Sequence, residues 1–305
     1  MTATVIDGNK LAEELSEQVH EQLRQLKISG ARPGLATVVV GDDPAAGAYE
    51  RHVKRLAERL ECDYANEHLS GDADVADVLA VVGKLNADPR VTGILILRPL
   101  PLKISEPLIY RALDPYKDVE AVHPENAGLL AQGRPRFVPS TPASCFYLLD
   151  SYLRTTGRDP GSFFPGTSLV VVGRSDSVGK PAASLGLQRH ATVTTCHSRT
   201  KDLGSYTRQA DVLIVAAGKA GLITGDMVRE GVIAIDVGID PVEDPETGKT
   251  KFVGDIEFDS VAARAEAITP VPGGVGPITD VWLIGNAVSA AAAALRVEPR
   301  FGVSL

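Results

Sequence analysis

The segment Leu169–Pro181, LVVVGRSDSVGKP, decides the fold. A β-branched apolar run, Val170-Val171-Val172, stops at Gly173. A short polar turn follows, then Val178-Gly179 and residues able to open a helix. Strand, glycine turn and helix in this order leave free backbone N–H groups and the positive end of a helix dipole at one point, where a phosphate can sit. The pattern departs from G-x-G-x-x-G, because Ser175 stands two residues after the first glycine. Glycine spacing alone is therefore a weak sign, and the flanking sequence has to carry the reading.

Working outward, apolar runs at Ser168–Val172, Thr192–Thr195, Val212–Ala216 and Val232–Val237 read as successive strands, with helices between the first three. This is a doubly wound, nucleotide-binding layout. The earlier half has its own α/β texture. Leu11, Leu15, Val19, Leu23 and Leu26 fall at helical spacing, and LATVVV (Leu35–Val40) reads as a buried strand. Pro44 opens a helix reaching about Leu60, and a weak strand lies near Tyr64–Leu69. A helix spans Asp74–Asn86, and Val91–Leu97 is another strand. The prolines of RPLPLK (Arg98–Lys103) take the chain out of the sheet at a strand's carboxyl end, where ligands bind in open α/β sheets. Asp114–Pro142 reads as a long irregular connection, and a helix follows from Thr141 to Leu153. Asp240–Lys251 reads as a charged surface turn and Thr269–Pro277 as a loop. A final helix over about Ile278–Leu295 packs back on the first half.

Composition narrows the function. The chain has 305 residues, 44% of them hydrophobic and 23% charged, which suits two soluble domains. A net charge of -8 argues against a nucleic-acid partner. Cys62, Cys145 and Cys196 are widely separated, so they suggest reduced buried thiols in a cytoplasmic protein rather than a disulfide framework or thiolate metal site. The first ten residues lack the pattern of a signal peptide, and the alanine-rich stretch Ala287–Leu295 is shorter than the ~20 residues that span a bilayer. No histidine, cysteine and carboxylate cluster has metal-ligand spacing, and no nucleophile elbow is present.

The second strand of a dinucleotide fold usually ends in a carboxylate for the adenosine ribose. Here ATVTT runs into Cys196-His197-Ser198-Arg199-Thr200, with no carboxylate. Ser198 and the guanidinium of Arg174 suit a 2′-phosphate instead, which favours NADP over NAD. His197 reads as an exposed turn residue. Small residues at Ala216-Ala217-Gly218 and Gly238 let a cofactor lie against backbone.

Taken together, GRSDSVGKP, TVTTCHSRT, ADVLIVAAGKAGLI, GVIAIDVGI, VGDI and TPVPGGVGPIT resemble the methylenetetrahydrofolate dehydrogenase/cyclohydrolase (FolD) family. KDVEAVHPEN (Lys117–Asn126) and PSTP (Pro139–Pro142) resemble its first domain, so the likeness runs from about Ile6 to Leu295. The resemblance implies an α/β fold with an N-terminal catalytic domain over residues 1–140, closed by a C-terminal helix at 278–296. A Rossmann NADP-binding domain over 141–277 follows, with a cleft between the two. It implies a homodimer that oxidises 5,10-methylenetetrahydrofolate to the methenyl cation with NADP+ and hydrolyses the cation to 10-formyltetrahydrofolate. By position, Arg174, Ser175 and Ser198 resemble contacts to the 2′-phosphate, and Gly173 and Gly179 resemble the phosphate turn. Gly218 and Ile239 resemble the nicotinamide side. Pro272, Gly273 and Gly274 resemble a loop meeting folate and cofactor.

The catalytic segment departs from the family outline S-x-x-Y-x-x-x-K. After Gly41-Asp42-Asp43-Pro44-Ala45, the serine position is Ala46, the tyrosine is Tyr49 and the lysine position is Val53. Lys54 would take the lysine's place only through a one-residue bulge, since one step turns about 100° around a helix. The glutamine of Q-L-P-L-P is Leu97, and KDVDG has become Lys117-Asp118-Val119-Glu120-Ala121. Tyr49 and Glu120 remain as substrate-binding candidates, with Asp118 capping a turn and Glu120 facing the pteridine amino groups. Asp118 and Glu120 as an acid/base pair is the other reading. Valine and leucine neither take nor give a proton, so the cyclohydrolase step is expected to be weak or lost. Hydride transfer asks only for positioning and should persist. The sequence leaves open an NADP oxidoreductase with another substrate, or a non-catalytic NADP-binding homologue.

Overall fold

The structure, a computed structural model, describes residues 3–243, 248 and 250–295. The chain runs β1 (Thr4–Val5), α1 (Gly8–Ile28), β2 (Gly34–Val40), α2 (Pro44–Arg59), β3 (Asp63–Leu69), α3 (Val75–Ala87), β4 (Gly93–Ile96), α4 (Glu106–Ala112) and α5 (Pro124–Ala131). It continues through α6 (Ser140–Thr155), α7 (Pro160–Phe163), β5 (Ser168–Val172), α8 (Gly179–Gln188), β6 (Thr192–Cys196), α9 (Leu203–Thr207) and β7 (Val212–Val215). The last elements are β8 (Ile233–Asp236), β9 (Asp240–Glu243), β10 (Thr250–Val253), α10 (Phe258–Ala262), β11 (Ala267–Ile268) and α11 (Val275–Ala294).

Among the described residues the chain forms two compact units. One holds residues 3–13 and 141–279, the other residues 14–140 and 280–295. The first is built on a six-stranded sheet of order β1-β11-β8-β7-β5-β6, parallel throughout. Parallel sheets are covered on both faces, so their central strands are apolar from end to end. VLIV obeys this throughout, and SLVVV and IAID depart from it only at their ends, Ser168 and Asp236; β7 and β8 are buried at every residue. The second unit is built on the parallel sheet β3-β2-β4, with β2 wholly buried at its centre. Leu15, Val19, Leu23 and Leu26 are the buried stripe of α1 that helical spacing predicts. The Asp43 carboxylate caps α2, accepting from Ala45 and Ala46 N–H at 3.0 and 2.8 Å, with Pro44 as its first residue.

The structure differs from the sequence reading in four places. Residues 3–13 belong to the six-stranded unit, not to a domain running from 1 to 140. β1 is two residues long, too short to show a period, and it pairs with β11. Gly8 N–H donates to the Gly273 carbonyl at 2.8 Å, and a Cβ on Gly8 would sit 1.8 Å from the Gly274 oxygen, so only glycine fits there. The expected loop at 114–142 contains α5, which Pro124 opens and the His123 ring caps by accepting from Glu125 N–H at 3.1 Å. The charged turn at 240–251 is bounded by the antiparallel pair β9/β10, with 244–247 and 249 outside the described residues. The last helix starts at Val275, earlier than Ile278, and residue 296 lies outside the described residues.

From Asp280 onward α11 belongs to the three-stranded unit. Asn286 Nδ2 donates to the Val119 and Val138 carbonyls at 2.8 and 2.9 Å, and Thr92 Oγ1 donates to the Ala287 carbonyl at 2.9 Å. No helix among the described residues is long and apolar enough to cross a membrane.

In the six-stranded unit Arg189 closes α8 with its guanidinium paired to Asp150 at 2.5 and 3.0 Å. Both side chains are buried, and the rings of Phe146 and Phe164 lie 4.8 and 5.0 Å from the guanidinium carbon. Removing one partner strands a buried charge, whereas replacing both with apolar groups does not. Arg189→Ala is therefore expected to cost about 3–5 kcal/mol. The double change Asp150→Leu with Arg189→Met should recover most of that loss, as read by calorimetric melting of the three proteins.

Candidate active site

In the six-stranded unit the sequence-predicted cofactor residues collect along one edge. They follow the carboxyl ends of β6, β5, β7, β8 and β11, which are consecutive neighbours in the sheet. Ser198 follows β6, Gly173 to Ser175 follow β5, Gly218 follows β7, Ile239 follows β8 and Pro272 to Gly274 follow β11. Such a row of carboxyl ends is where open α/β sheets bind their ligands. At Gly173 φ is +134°, and a Cβ would lie 2.2 Å from the Ala216 oxygen. A Cβ on Gly179 would lie 2.2 Å from the Gly173 oxygen. The two glycines thus let the β5–α8 turn fold flat against the neighbouring strand end, opening a backbone cradle at the start of α8.

Arg174, Ser175 and Ser198 are exposed around this cradle. The Ser175 hydroxyl oxygen accepts from Val178 and Gly179 N–H at 3.1 and 3.3 Å. It therefore shapes the turn as well as leaving its own O–H to donate. The His197 ring accepts from Arg199 N–H at 3.1 Å, the local turn role that the sequence suggested. The donor set, one exposed guanidinium and two hydroxyls with no carboxylate at the end of β6, fits a nucleotide that carries a 2′-phosphate.

Two buried carboxylates that sequence reasoning passed over hold this edge together. Asp255 accepts from the N–H groups of Ala217, Gly218 and Lys219 at 2.6, 3.1 and 2.5 Å. Asp236 accepts from Gly238, Asp255 and Ile256 N–H at 3.0, 3.0 and 2.9 Å. They lie in the segments GVIAIDVGI and VGDI, whose spacing does not show which backbone the aspartates tie.

In the three-stranded unit, α2 presents Tyr49 and His52, three residues apart and so neighbours on one face. The helix is regular from Pro44 to Arg59, with no bulge. Val53 is fully buried, Lys54 is exposed, and the condition under which Lys54 could replace the family lysine is not met. Ala46 and Leu97 are buried as well. The Tyr49 hydroxyl faces Asp280 on α11, and the same carboxylate lies 2.8 Å from His52 Nε2. Burial, then the charges of Asp280 and Glu120, push the Tyr49 phenol well above its ordinary range. Burial also raises Asp280, against the lowering effect of His52 and Tyr49. Asp280 is the one charged residue of α11, a signal legible in the sequence; His52 was legible as the helix-face neighbour of Tyr49.

Glu120 accepts from Ser140 Oγ at 2.7 Å and faces Arg98, with burial pushing its carboxyl up. Asp118 is wholly committed to its own loop. It accepts from Val122 and His123 N–H at 3.1 and 2.8 Å and from Asn126 Nδ2 at 2.8 Å. That removes it from any acid/base pair with Glu120. Lys117 is likewise structural, donating to the Leu85, Asn86 and Asp88 carbonyls at 3.1, 2.7 and 2.8 Å. Ala121, where the family pattern has glycine, takes a left-handed φ of 52° at a cost of about 1–2 kcal/mol.

Burial raises Asp236 to about 7, outweighing three N–H bonds that favour its ionised form. The folded state thus holds this proton more tightly than the unfolded chain. The stability it contributes is complete below the ordinary value of 3.8 and is lost as pH rises through about 7. Thermal melts across this window should show wild-type protein losing stability relative to Asp236→Asn, in which this pH dependence is missing.

Comparison with known proteins finds two family models along the chain. Residues 6–120 match the catalytic domain of tetrahydrofolate dehydrogenase/cyclohydrolase, and residues 139–295 match its NAD(P)-binding domain. The chain is 62% identical over 294 residues to bifunctional protein FolD 3 of Rubrobacter xylanophilus, covering 95% of this chain and 92% of that one. The FolD methylenetetrahydrofolate dehydrogenase/cyclohydrolase of Campylobacter jejuni superposes with a TM-score of 0.89 at 39% identity, over 96% of this chain and 99% of that one. The Trypanosoma brucei enzyme, solved with NADP cofactor and inhibitor, gives 0.88 at 32% identity, over 97% and 100%. The chain is a member of the tetrahydrofolate dehydrogenase/cyclohydrolase family.

Proposed function

We propose that this protein oxidises 5,10-methylenetetrahydrofolate to 5,10-methenyltetrahydrofolate with NADP+, as a cytoplasmic, homodimeric enzyme of one-carbon metabolism. The observation that carries the reading is the edge of the six-stranded sheet. A glycine cradle, an exposed Arg174 and Ser198 stand there, and no carboxylate ends β6 to repel a 2′-phosphate. NADP+, when bound, supplies the hydride acceptor. Gly173 and Gly179 admit its pyrophosphate to backbone N–H groups, and Arg174, Ser175 and Ser198 take the 2′-phosphate. Gly218, Ile239 and Gly274 line the nicotinamide side, with Asp255 fixing the backbone of Gly218. Folate is held in the three-stranded unit by Glu120, whose carboxyl suits the pteridine amino groups, and by Tyr49; Pro272 and Gly273 of the six-stranded unit are folate-contact candidates by the family resemblance. The folate nitrogen's own lone pair drives hydride loss, so the step asks of the protein positioning and exclusion of water. Buried cysteines and the family likeness support the compartment and the dimer.

The second reaction of the family, hydrolysis of the methenyl cation, proceeds more weakly here than where a lysine serves. Val53 and Leu97 carry no exchangeable proton, and Lys54 is turned to the exposed side of α2.

Purified protein given 5,10-methylenetetrahydrofolate should reduce NADP+ in preference to NAD+. Arg174→Ala should raise the KM for NADP+ about tenfold or more, as expected for a phosphate contact worth about 1.5–3 kcal/mol, with a smaller change for NAD+. Oxidation of the folate with neither nucleotide would remove the reading.

A further inference from the structure

Hydride transfer from the methylene carbon releases no proton: a neutral folate becomes a cation as the hydride leaves. Hydrolysis of that cation does release one. A built route for a proton beside the folate residues therefore serves hydrolysis and has no use in the oxidation. The three-stranded unit contains such a route. The Asp280 carboxylate lies 2.8 Å from His52 Nε2 and is faced by the Tyr49 phenol, and the His52 side chain is half exposed while that of Asp280 is 17% exposed.

We infer that the Tyr49–Asp280–His52 chain stands in for the missing lysine, taking up the proton that water loses when it attacks the methenyl carbon and returning it to solvent from the imidazole. The inference rests on the folate reading of this unit. Water forms the new C–O bond. As it does so, one of its protons passes to the Tyr49 oxygen while the phenol proton passes to Asp280. The Asp280–His52 pair holds that proton and His52 releases it. The remaining hydroxyl proton moves to N5 as the C–N5 bond breaks, its electron pair staying on nitrogen, and the formyl group is left on N10. Atoms and charge balance: cation plus water gives neutral 10-formyl product plus one proton.

Each member fits its place for a separate reason. Tyr49 cannot be the resting base, because its phenol is held protonated, but it can pass a proton along. The titratable groups facing Asp280 are Tyr49 and His52 from α2 and Glu120 from the segment after β4. Glu120 is enclosed by Ser140 and Arg98, neither of which takes up a proton near neutral pH, so it has no outlet of its own. His52 is the outlet: it stands one turn from Tyr49 on the same helix face and reaches solvent. An aspartate alone in an otherwise uncharged α11 also has its purpose explained.

The experiment measures, on single preparations and from about pH 6 to about pH 8.5, both the NADP+-linked oxidation of methylenetetrahydrofolate and the decay of methenyltetrahydrofolate. Wild-type protein should catalyse the decay above the buffer rate. Asp280→Asn should lower the ratio of hydrolysis to oxidation about a hundredfold, the usual scale for loss of a proton acceptor. His52→Ala should lower it about tenfold, and added imidazole should restore it. Because His52 is what holds the Asp280 carboxyl down, its removal should also move the acidic limb of the hydrolysis profile to higher pH. A packing defect would produce neither the rescue nor the shift. The inference fails if wild-type protein oxidises the folate but leaves the cation to decay at the buffer rate. It fails equally if the ratio is unmoved in Asp280→Asn, or if imidazole and pH make no difference to His52→Ala. Absence of folate oxidation by wild-type protein would instead defeat the functional reading itself.

Discussion

Backbone N–H groups gathered onto buried carboxylates are the constraint on which the nucleotide edge depends. Asp255 holds the segment after β7, and Asp236 holds the segments after β8 and β10, three N–H groups apiece. Loops that leave a parallel sheet lose their ladder partners, and a buried N–H without an acceptor costs about 1–3 kcal/mol. A carboxylate is the one side chain able to satisfy three at once. The arrangement stiffens Ala217-Gly218-Lys219 without any bulky side chain, which leaves flat backbone where a cofactor ring needs it. The same economy governs the β5–α8 turn, where two glycines in mutual contact take the space that a cradle requires.

Much of the six-stranded unit was legible because its determinants are local. Ser168–Val172, Val212–Ala216 and Val232–Val237 announce themselves as largely apolar, β-branched runs, and the observed strands lie within a residue of them. The glycine turn and the carboxylate-free end of β6 sit next to those runs. What escaped is the non-local bonding. β1 is two residues long, and its role follows only from Gly8 meeting Gly273 and Gly274 across some 265 residues of sequence. Asp255 gave no sign that its partners lie near position 218.

The catalytic side shows the opposite balance. Its losses were visible from a motif, since Ala46, Val53 and Leu97 stand at named positions of a known pattern. The regular, well-capped α2 fixes their consequence by keeping Lys54 outside. The group that occupies the gap was not visible, because Asp280 meets His52 from 228 residues away. A substitution read along the chain registers as a deletion of function; read across the fold, it exposes an exchange of one proton acceptor for another.

The position of α11 has a consequence for how the protein is made. Residues 14–140 emerge early, yet their unit lacks Asp280, the clasp of Asn286 on Val119 and Val138, and the Thr92 bond to Ala287 until α11 is synthesised. The six-stranded unit, by contrast, has all of its described strands once residue 268 has left the ribosome. Domains fold as units during synthesis, in the order in which their parts become available. The unit whose strands come mostly from the later part of the chain is therefore completed before the one built from residues 14–140, and the nascent three-stranded unit waits for α11.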